Sequence, residues 1–238
     1  MRGKVRSKDV KDVVREVERL VDLGHKEIVL SGIFLGAYGH TTALRRKQVN
    51  GHARPLADLL DAVASVPGLL RVRLSSLEPG DLSQELLDAM IAHQDIVAAH
   101  LHLPLQSGSD RILSRMNRQY RRTEYLEAVA MATEQLQTID GLPPAITTDI
   151  ICGFPGETEQ EFEETCQVVE VARFLHMHVF PYSARPGTAS ARWTSEHLDQ
   201  QLVRRRVRQL IDRETDPNDG LSIRYRQQLF LFSTVKKF

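Results

Sequence analysis

This sequence has two cysteines, one tryptophan, no net charge and no long apolar run. These features exclude several classes of protein. The 238 residues include two cysteines, Cys152 and Cys166, which is neither a disulfide framework nor a zinc-binding pattern. The 31 basic residues are balanced by 31 acidic ones, so net charge does not argue for nucleic-acid binding. A signal peptide and an apolar run of about 18 residues are both missing, which predicts a cytoplasmic protein without a membrane span.

What the sequence does contain is an alternation of short apolar strands with amphipathic helices. Strands are predicted at residues 27–31, 71–77, 98–105, 147–152 and 176–182, and residues 40–54 as a polar surface loop. Helices are predicted at residues 7–24, 56–66, 83–93, 111–116, 123–137 and 195–213, with another beginning at Thr158. This pattern is typical of βα units and predicts an α/β fold with a parallel sheet or barrel. About five units are too few for a complete TIM barrel, so we expect an open, partial one.

The stretch Thr147–Thr158, TTDIICGFPGET, combines a strand, a glycine turn and a helix start. Thr158 and Glu161 have capping-box spacing, which marks the beginning of the helix. Gly153 and Gly156 allow backbone angles and close approaches that a β-carbon would prevent. The turn therefore fits either a phosphate or nucleotide at the helix N-terminus or a tight connection with no ligand. It is not a Walker A loop, because no Gly-Lys-Ser/Thr follows.

Polar residues recur at every second position along three predicted strands. Since successive side chains of a strand point to opposite faces, each of these strands has one polar row, and the rows predict a polar lumen open to a ligand. The rows are His100, His102 and Gln106; Thr147, Asp149 and Ile151; and His176, His178, Phe180 and Tyr182.

Two His-x-His pairs lie in these rows, and together with Asp149 they could ligate zinc, iron or nickel. This interpretation makes the protein a metal-dependent hydrolase. The alternative is that the histidines hydrogen-bond within the lumen or face solvent. Two basic patches, at residues 115–122 and 204–208, could bind phosphates or be solvated helix faces, and the sequence does not decide between these roles.

Five segments together resemble the radical S-adenosylmethionine methylthiotransferases that modify tRNA. They are SGIFLGAYG (31–39), RLSSLEP (73–79), HLHLPLQSGSDRIL (100–113), TTDIICGFPGETEQEF (147–162) and HVFPYSARPGT (178–188). They occur in the family's order and spacing, over about residues 3–214. The forms Leu-Ser-Ser-Leu-Glu-Pro and His-Val-Phe-Pro-Tyr-Ser are most similar to the branch that acts on N6-threonylcarbamoyladenosine at position 37 of tRNA. The isopentenyl-adenosine and ribosomal-protein branches are less similar.

The resemblance implies a partial radical SAM barrel, lacking its first strand, that holds S-adenosylmethionine across the C-terminal ends of the strands. It implies that Asp149 lies in the lumen beneath the Gly-Phe-Pro-Gly turn and that Phe180 and Tyr182 flank the adenine. By motif position, it also places near the ligand Ser75, Glu78, Gln106, Ser107 and Arg118.

The family's chemistry uses two 4Fe-4S clusters, and the resemblance implies that their cysteine ligands are absent from this chain. A CxxxCxxC loop holds the cluster whose open iron binds the amino and carboxylate groups of S-adenosylmethionine, and cysteines of an N-terminal domain hold the second. Cys152, on a strand, and Cys166, on the apolar face of a helix, are predicted to be small core residues instead. We therefore expect the isolated chain to be inactive.

The motif positions predict a truncated core half-barrel at residues 1–193, followed at 194–238 by an arginine-rich helix and an unfinished tail. The family's N-terminal domain and its RNA-binding TRAM domain are expected to be missing. The predicted function is the core of an enzyme that adds a methylthio group to C2 of the modified adenosine in the tRNA anticodon stem-loop. A non-catalytic module that binds S-adenosylmethionine or tRNA is the alternative. Without a preceding strand, the Glu27 strand is predicted to be a sheet edge at which the chain self-associates.

Overall fold

The structure, a computed structural model, describes residues 5–42, 54–137 and 141–214. In chain order its helices are α1 (Val10–Asp22), α2 (Pro55–Ala64), α3 (Gln84–Ala92), α4 (Asp110–Arg115), α5 (Arg122–Gln135), α6 (Glu159–Ala172) and α7 (Gln200–Ile211). Its strands are β1 (Glu27–Leu30), β2 (Arg71–Leu74), β3 (His100–His102), β4 (Ala145–Cys152) and β5 (His176–Pro181). The alternation of strands and helices confirms the predicted α/β class.

The chain divides into two compact units. The first comprises Met1–Pro104 and Asn117–Pro144, and the second comprises Leu105–Met116 and Ala145–Phe238. In the first unit β1 and β2 pair in parallel, and in the second β4 and β5 do the same. The parallel pairing predicted from the βα pattern is therefore confirmed, whereas the boundary predicted at residues 193 and 194 stays a prediction.

Each unit has its own apolar core between strand faces and helices. In the first unit α2 packs against α1, α3 and β2, and in the second unit α7 packs against β4, β5 and α6. Among the side chains with no solvent exposure are Leu60, Val63, Val72, Leu87, Leu101 and Leu103 in the first unit and Ile112, Leu113, Ile150, Cys166, Val168 and Leu210 in the second. The two longest described helices have 14 residues each, and no described helix has the length and apolarity of a membrane span.

Helix starts follow the capping residues, and this explains one difference from the prediction. Ser83 Oγ accepts a hydrogen bond from the Leu86 N–H at the start of α3, as expected from the sequence. The last helix, predicted from residue 195, begins at Gln200 because the Asp199 side chain caps it by accepting from the Gln201 N–H at 2.8 Å. Residues 194–196 form a separate 3-10 turn.

Two strands are shorter than predicted. The strand expected at residues 71–77 ends at Leu74, and the Leu77 N–H donates to the His102 carbonyl at 3.0 Å. The strand expected at residues 98–105 is regular only in β3, because Pro104 has no N–H to donate and Gln106 takes a left-handed φ of 64°. Most of the predicted 40–54 loop, residues 43–53, lies outside the described residues.

Candidate ligand-binding site

The predicted polar rows of β4 and β5 share one face of the second unit. In the parallel register Asp149 lies opposite His178 and Ile151 lies opposite Phe180, and residues in register point to the same side. The row positions are half-buried or exposed, whereas the alternate positions are buried throughout β4 and at Met177 in β5. The rows are Thr147, Asp149 and Ile151 in β4 and His176, His178 and Phe180 in β5; the buried residues between them include Thr148, Ile150 and Met177.

Gln106 is joined directly to the polar row of β4. Its N–H donates to the Asp149 carbonyl oxygen at 2.8 Å, and its own carbonyl accepts from the Ile151 N–H at 2.9 Å. The residue is buried, and its φ of 64° is uncommon for a residue other than glycine. Such backbone conformations cluster at functional sites. The structure thus brings together two of the residues predicted to bind the ligand, Gln106 and Asp149.

Helix α6 holds the turn that follows Gln106. The Gly108 N–H donates to Thr165 Oγ1 at 2.9 Å, and a β-carbon on Gly108 would lie 2.6 Å from the Glu164 carbonyl oxygen. Ser107 is fully buried, and its Oγ accepts from the Ser109 N–H at 3.2 Å. The predicted Ser107 therefore stabilises the turn. The hydrogen bond from Gly108 to Thr165 could not be predicted from the local sequence, because the two residues are 57 positions apart.

Glu161 connects the start of α6 to the same turn. In addition to its capping bond from the Thr158 N–H at 2.8 Å, it accepts from Arg111 Nη2 at 2.7 Å and from the Ser109 hydroxyl at 3.3 Å. Burial acts to raise the pKa of this carboxyl, but the hydrogen bonds from Arg111 and Thr158 lower it to about 2. Glu161 is therefore ionised at neutral pH and fixes the turn that carries Gln106.

The two glycines of the Gly-Phe-Pro-Gly turn face protein atoms. Both have a φ of 75°. A β-carbon on Gly153 would lie 2.4 Å from Val203 Cγ2, and one on Gly156 would lie 2.5 Å from a carboxylate oxygen of Glu196. The Gly156 N–H donates to the Glu196 carbonyl at 2.8 Å, and the capping box pairs two further N–H groups at the start of α6. Of the two interpretations of this turn, the structure supports the tight connection.

The arginine-rich patch on α7 is only partly a solvated helix face. Arg206 is 1% exposed; its guanidinium pairs with Glu157 at 2.7 Å and with Glu159 at 2.8 Å. Burial raises the pKa of Glu157, although the Gly153 N–H and Arg206 oppose the rise. The pair ties α7 to the glycine turn. The cations left at the surface of this patch are Arg204, Arg205 and Arg208.

Aromatic side chains gather where β5 ends. The Tyr182 ring lies 5.4 Å from the Phe154 ring and 5.7 Å from the His197 ring. Its hydroxyl is buried and has no hydrogen-bond partner within the described ranges, while Phe180 remains half-exposed. Rings with a polar group that lacks a partner fit a planar heterocycle with hydrogen-bonding edges.

Three predicted ligand-binding residues lie in the first unit. Glu78 Oε1 and Arg118 Nη1 are 3.6 Å apart. The Ser75 Oγ and the Arg118 Nε are buried, and neither has a hydrogen-bond partner among the residues the structure describes. Buried polar atoms are nearly always hydrogen-bonded in folded proteins. Both atoms are therefore suited to bind a polar ligand.

Neither cysteine is suited to hold a metal. Cys152 and Cys166 are buried, as predicted, and burial raises the pKa of Cys166 to about 11 and that of Cys152 still further. Metals bind the thiolate, and the part of the chain that the structure describes contains no group of three His, Cys, Asp or Glu side chains that could hold an ion. The residues present do not fit a 4Fe-4S cluster, and the hydrolase interpretation has no described ligand set.

The family of the chain follows from its first 169 residues. Residues 1–169 match the Radical SAM superfamily. The chain belongs to this superfamily. Coproporphyrinogen III oxidase HemN of Escherichia coli, a radical SAM enzyme, has a similar fold, with a TM-score of 0.58 at 14% identity, over 95% of this chain and 54% of that one. The radical SAM methyltransferase TsrM of Kitasatospora setae also has a TM-score of 0.58, at 15% identity, over 77% and 33%. The predicted fold class, an open and partial radical SAM barrel, is confirmed.

The radical SAM chain is similar to enzymes that modify tRNA. It is 40% identical over 212 residues to the tRNA-2-methylthio-N(6)-dimethylallyladenosine synthase of Alkaliphilus oremlandii, covering 89% of the chain and 42% of that protein. It is 40% identical over 211 residues to the threonylcarbamoyladenosine tRNA methylthiotransferase MtaB of Bacillus subtilis, covering 88% and 43%. The chain thus spans less than half the length of these relatives. The resemblance to methylthiotransferases is confirmed, and the identities do not separate the two branches.

Proposed function

We propose that this chain is the core of a cytoplasmic tRNA methylthiotransferase that acts on N6-threonylcarbamoyladenosine at position 37 of the anticodon stem-loop. The reaction adds a methylthio group to C2 of that adenosine. The observation that supports it most is the 40% identity to tRNA methylthiotransferases along about nine-tenths of the chain. The forms of residues 74–79 and 178–183 are the reason for choosing the threonylcarbamoyl branch.

The described residues support a role in binding S-adenosylmethionine, whose cleavage supplies the radical chemistry of this superfamily. In the second unit we assign Phe180 and the free hydroxyl of Tyr182 to the adenine, and Gln106 and Asp149 to the polar groups beside it. Ser107 acts indirectly, by fixing the turn after Gln106. In the first unit the proposed contacts are Ser75, Glu78 and Arg118.

A binding experiment tests this assignment. The affinity of the chain for S-adenosylmethionine is measured by equilibrium dialysis for the wild type and for the Gln106→Ala and Asp149→Ala variants. We expect binding about tenfold weaker in each variant, because each loses a polar contact to the ligand. Matched controls are Gln135→Ala and Asp88→Ala, which remove the same side chains from helix surfaces and should leave the affinity unchanged. Equal affinity in all five proteins would refute the assigned site.

A non-catalytic binding module is the second candidate, and it is favoured by the burial and raised pKa of both thiols. The two candidates differ in the protein that the source cells contain, because this chain alone is expected to be inactive in either case. The intact mass and N-terminal sequence of the protein isolated from those cells test this: a longer chain with upstream cysteines would support the enzyme, whereas a mass near 27.0 kDa would support the module.

A further inference from the structure

The segment 183–211 of the second unit carries an excess of positive charge, although the chain as a whole has no net charge. The segment contains six arginines and two acidic residues, Glu196 and Asp199. Glu196 pairs with Arg115 at 2.7 Å, and Asp199 accepts hydrogen bonds from backbone N–H groups at the start of α7. The arginines of this segment therefore need carboxylates from elsewhere in the fold to be neutralised.

Two arginines of α7 have such a carboxylate and two do not. Arg206 pairs with Glu159 at 2.8 Å, and Arg205 Nη2 lies 3.7 Å from the other oxygen of the same carboxylate. Arg204 and Arg208 are exposed, and the side chain of neither has an ion pair or hydrogen bond among the described residues. Since they are four positions apart, they lie on the same side of the helix, about 6 Å apart along its axis.

The packing of α7 determines which kind of anion these two guanidiniums can meet. Its apolar side chains Val203 and Leu210 are buried, and the buried pair of Arg206 with Glu157 fixes the helix to the glycine turn. A helix that binds a lipid bilayer inserts an exposed apolar face, and that face of α7 is covered by the second unit itself. Guanidiniums bind phosphate through parallel N–H···O bonds. A polyphosphate chain in water is therefore the better match.

A cavity of about 510 Å³ adjoins Arg204. It lies between residues 181–184 and the start of α7, and His197 and Gln200 also line it. A cavity of this size can hold a small organic group, and its neutral polar side chains suit a sugar or base beside a charged phosphate. Tyr182, which the proposed function assigns to S-adenosylmethionine, forms one wall. A nucleotide held at Arg204 would therefore lie next to the cofactor, and no further contact to the Tyr182 hydroxyl is required.

We propose that Arg204 and Arg208 of α7 bind backbone phosphates of one RNA strand and hold the tRNA stem-loop beside the cofactor site. The choice of RNA among the polyphosphates rests on the proposed function. Phosphate contacts position a nucleic acid but carry no sequence information. The two arginines therefore set the affinity and the orientation of the RNA, and the base is selected elsewhere.

The salt dependence of RNA binding tests this proposal. Fluorescence anisotropy measures the affinity of the full chain for a labelled RNA hairpin with the sequence of a tRNA anticodon stem-loop, at several salt concentrations. We expect Arg204→Gln and Arg208→Gln each to weaken binding about fivefold at about 0.15 M salt. Each should also reduce the slope of log affinity against log salt concentration by about one, because one phosphate contact fewer releases fewer counterions. Arg208→Lys keeps the charge and should keep the slope.

Arginines that already have a carboxylate partner are the matched controls. Arg213, just after α7, lies 3.3 Å from Glu170, and Arg15 on α1 pairs with Asp12 at 2.6 Å. Arg213→Gln and Arg15→Gln should leave the affinity and the slope nearly unchanged. A hairpin with a scrambled loop should lose the same factor of affinity in the two test variants, since both RNAs present the same phosphates.

Affinity for S-adenosylmethionine and for anionic vesicles separates the remaining outcomes. Weaker RNA binding in the test variants alone, with unchanged affinity for S-adenosylmethionine, supports the proposal. Equal RNA binding in test and control variants, or no RNA binding by a chain that binds S-adenosylmethionine, overturns it while the proposed function stands. Binding to vesicles of phosphatidylcholine and phosphatidylserine through the same two arginines, without binding to the hairpin, also overturns it. A chain that binds neither RNA nor S-adenosylmethionine contradicts both.

Discussion

Single side chains of the same type have different roles in this protein because burial differs between them. Arg206 lies within a run of arginines, yet it is buried against Glu157 while Arg205 is exposed. Among the histidines, burial keeps His100 neutral with a pKa of about 4, whereas His178 is exposed. Each difference depends on the partner that the fold brings to the residue, and the residue type alone does not reveal it.

Thiol reactivity is the first property that burial should control. We expect neither Cys152 nor Cys166 to react with a disulfide reagent in the native chain at about pH 8. Burial keeps the reagent away from both thiols and keeps them protonated. Both should react at once after unfolding in guanidinium chloride. The measurement is the absorbance of the released thiolate, with Ser76→Cys, at an exposed position, as the reactive control. Rapid labelling of either native cysteine would contradict this prediction and make that cysteine a candidate metal ligand.

At the scale of secondary-structure elements, helix α6 organises the second unit. Its capping residue Glu161 accepts from Arg111 and Ser109, and its Thr165 holds the Gly108 N–H. The turn that carries Gln106 is thus positioned by a helix far away in the sequence. A helix start that the sequence marks clearly also has a tertiary role that the capping pattern does not reveal.

Stability should depend on pH through Glu161. Its pKa is lowered to about 2 in the folded chain, so the carboxylate stabilises the fold above the unfolded pKa of about 4.3, and this contribution is lost as the pH falls from there towards 2. We expect Glu161→Gln to lower the free energy of unfolding by about 2 kcal/mol at pH 7. The difference from the wild type should shrink on acidification.

Urea unfolding of both proteins at several pH values measures this effect. Glu163→Gln, which removes an exposed carboxylate from the same helix, is the control and should have little effect at any pH. A Glu161→Gln difference that stays constant between neutral pH and pH 3 would show that the ionised carboxylate is not the source of the stabilisation.

At the scale of the whole molecule, the first unit has an exposed strand edge. β1 pairs with β2 on one side, and its other side has no strand partner within the described ranges. An open cavity of about 740 Å³ is lined by residues of α1, β1 and the 31–38 segment. Val29, Ile33 and Phe34 remain exposed around it. Unpaired backbone groups beside apolar side chains favour strand-to-strand association.

We therefore expect the isolated chain to self-associate. Light scattering at tens of micromolar should show species larger than a monomer. Val29→Lys should shift the distribution towards monomer, because a charged side chain at an edge opposes pairing. Val171→Lys, at an exposed position on α6, is the control and should not change it. A monodisperse wild-type monomer would contradict the prediction.

Local signals predicted most of the elements and part of the site. The capping residues Ser83 and Thr158 and the strand alternation in β4 and β5 depend on neighbours within a few residues, so the sequence contains all the information needed. The predictions failed where a partner is remote. The strand predicted at residues 98–105 was too long for a different reason, since Pro104 interrupts the pairing and nothing local indicates the left-handed backbone at Gln106. The solvated interpretation of the α7 arginines overlooked Glu157, which lies 49 residues before Arg206.

The sequence by itself determined the α/β class, the superfamily and the polar rows, because periodicity and motif order are written along the chain. Only the tertiary structure decided which polar residues find partners. It placed Glu27 within reach of Arg71 and Arg73, and it packed Val203 and Glu196 against the glycine turn. It left Ser75 Oγ and the Tyr182 hydroxyl without hydrogen-bond partners in the described part of the chain. The physical reason is that burial and charge balance are sums over residues distant in sequence.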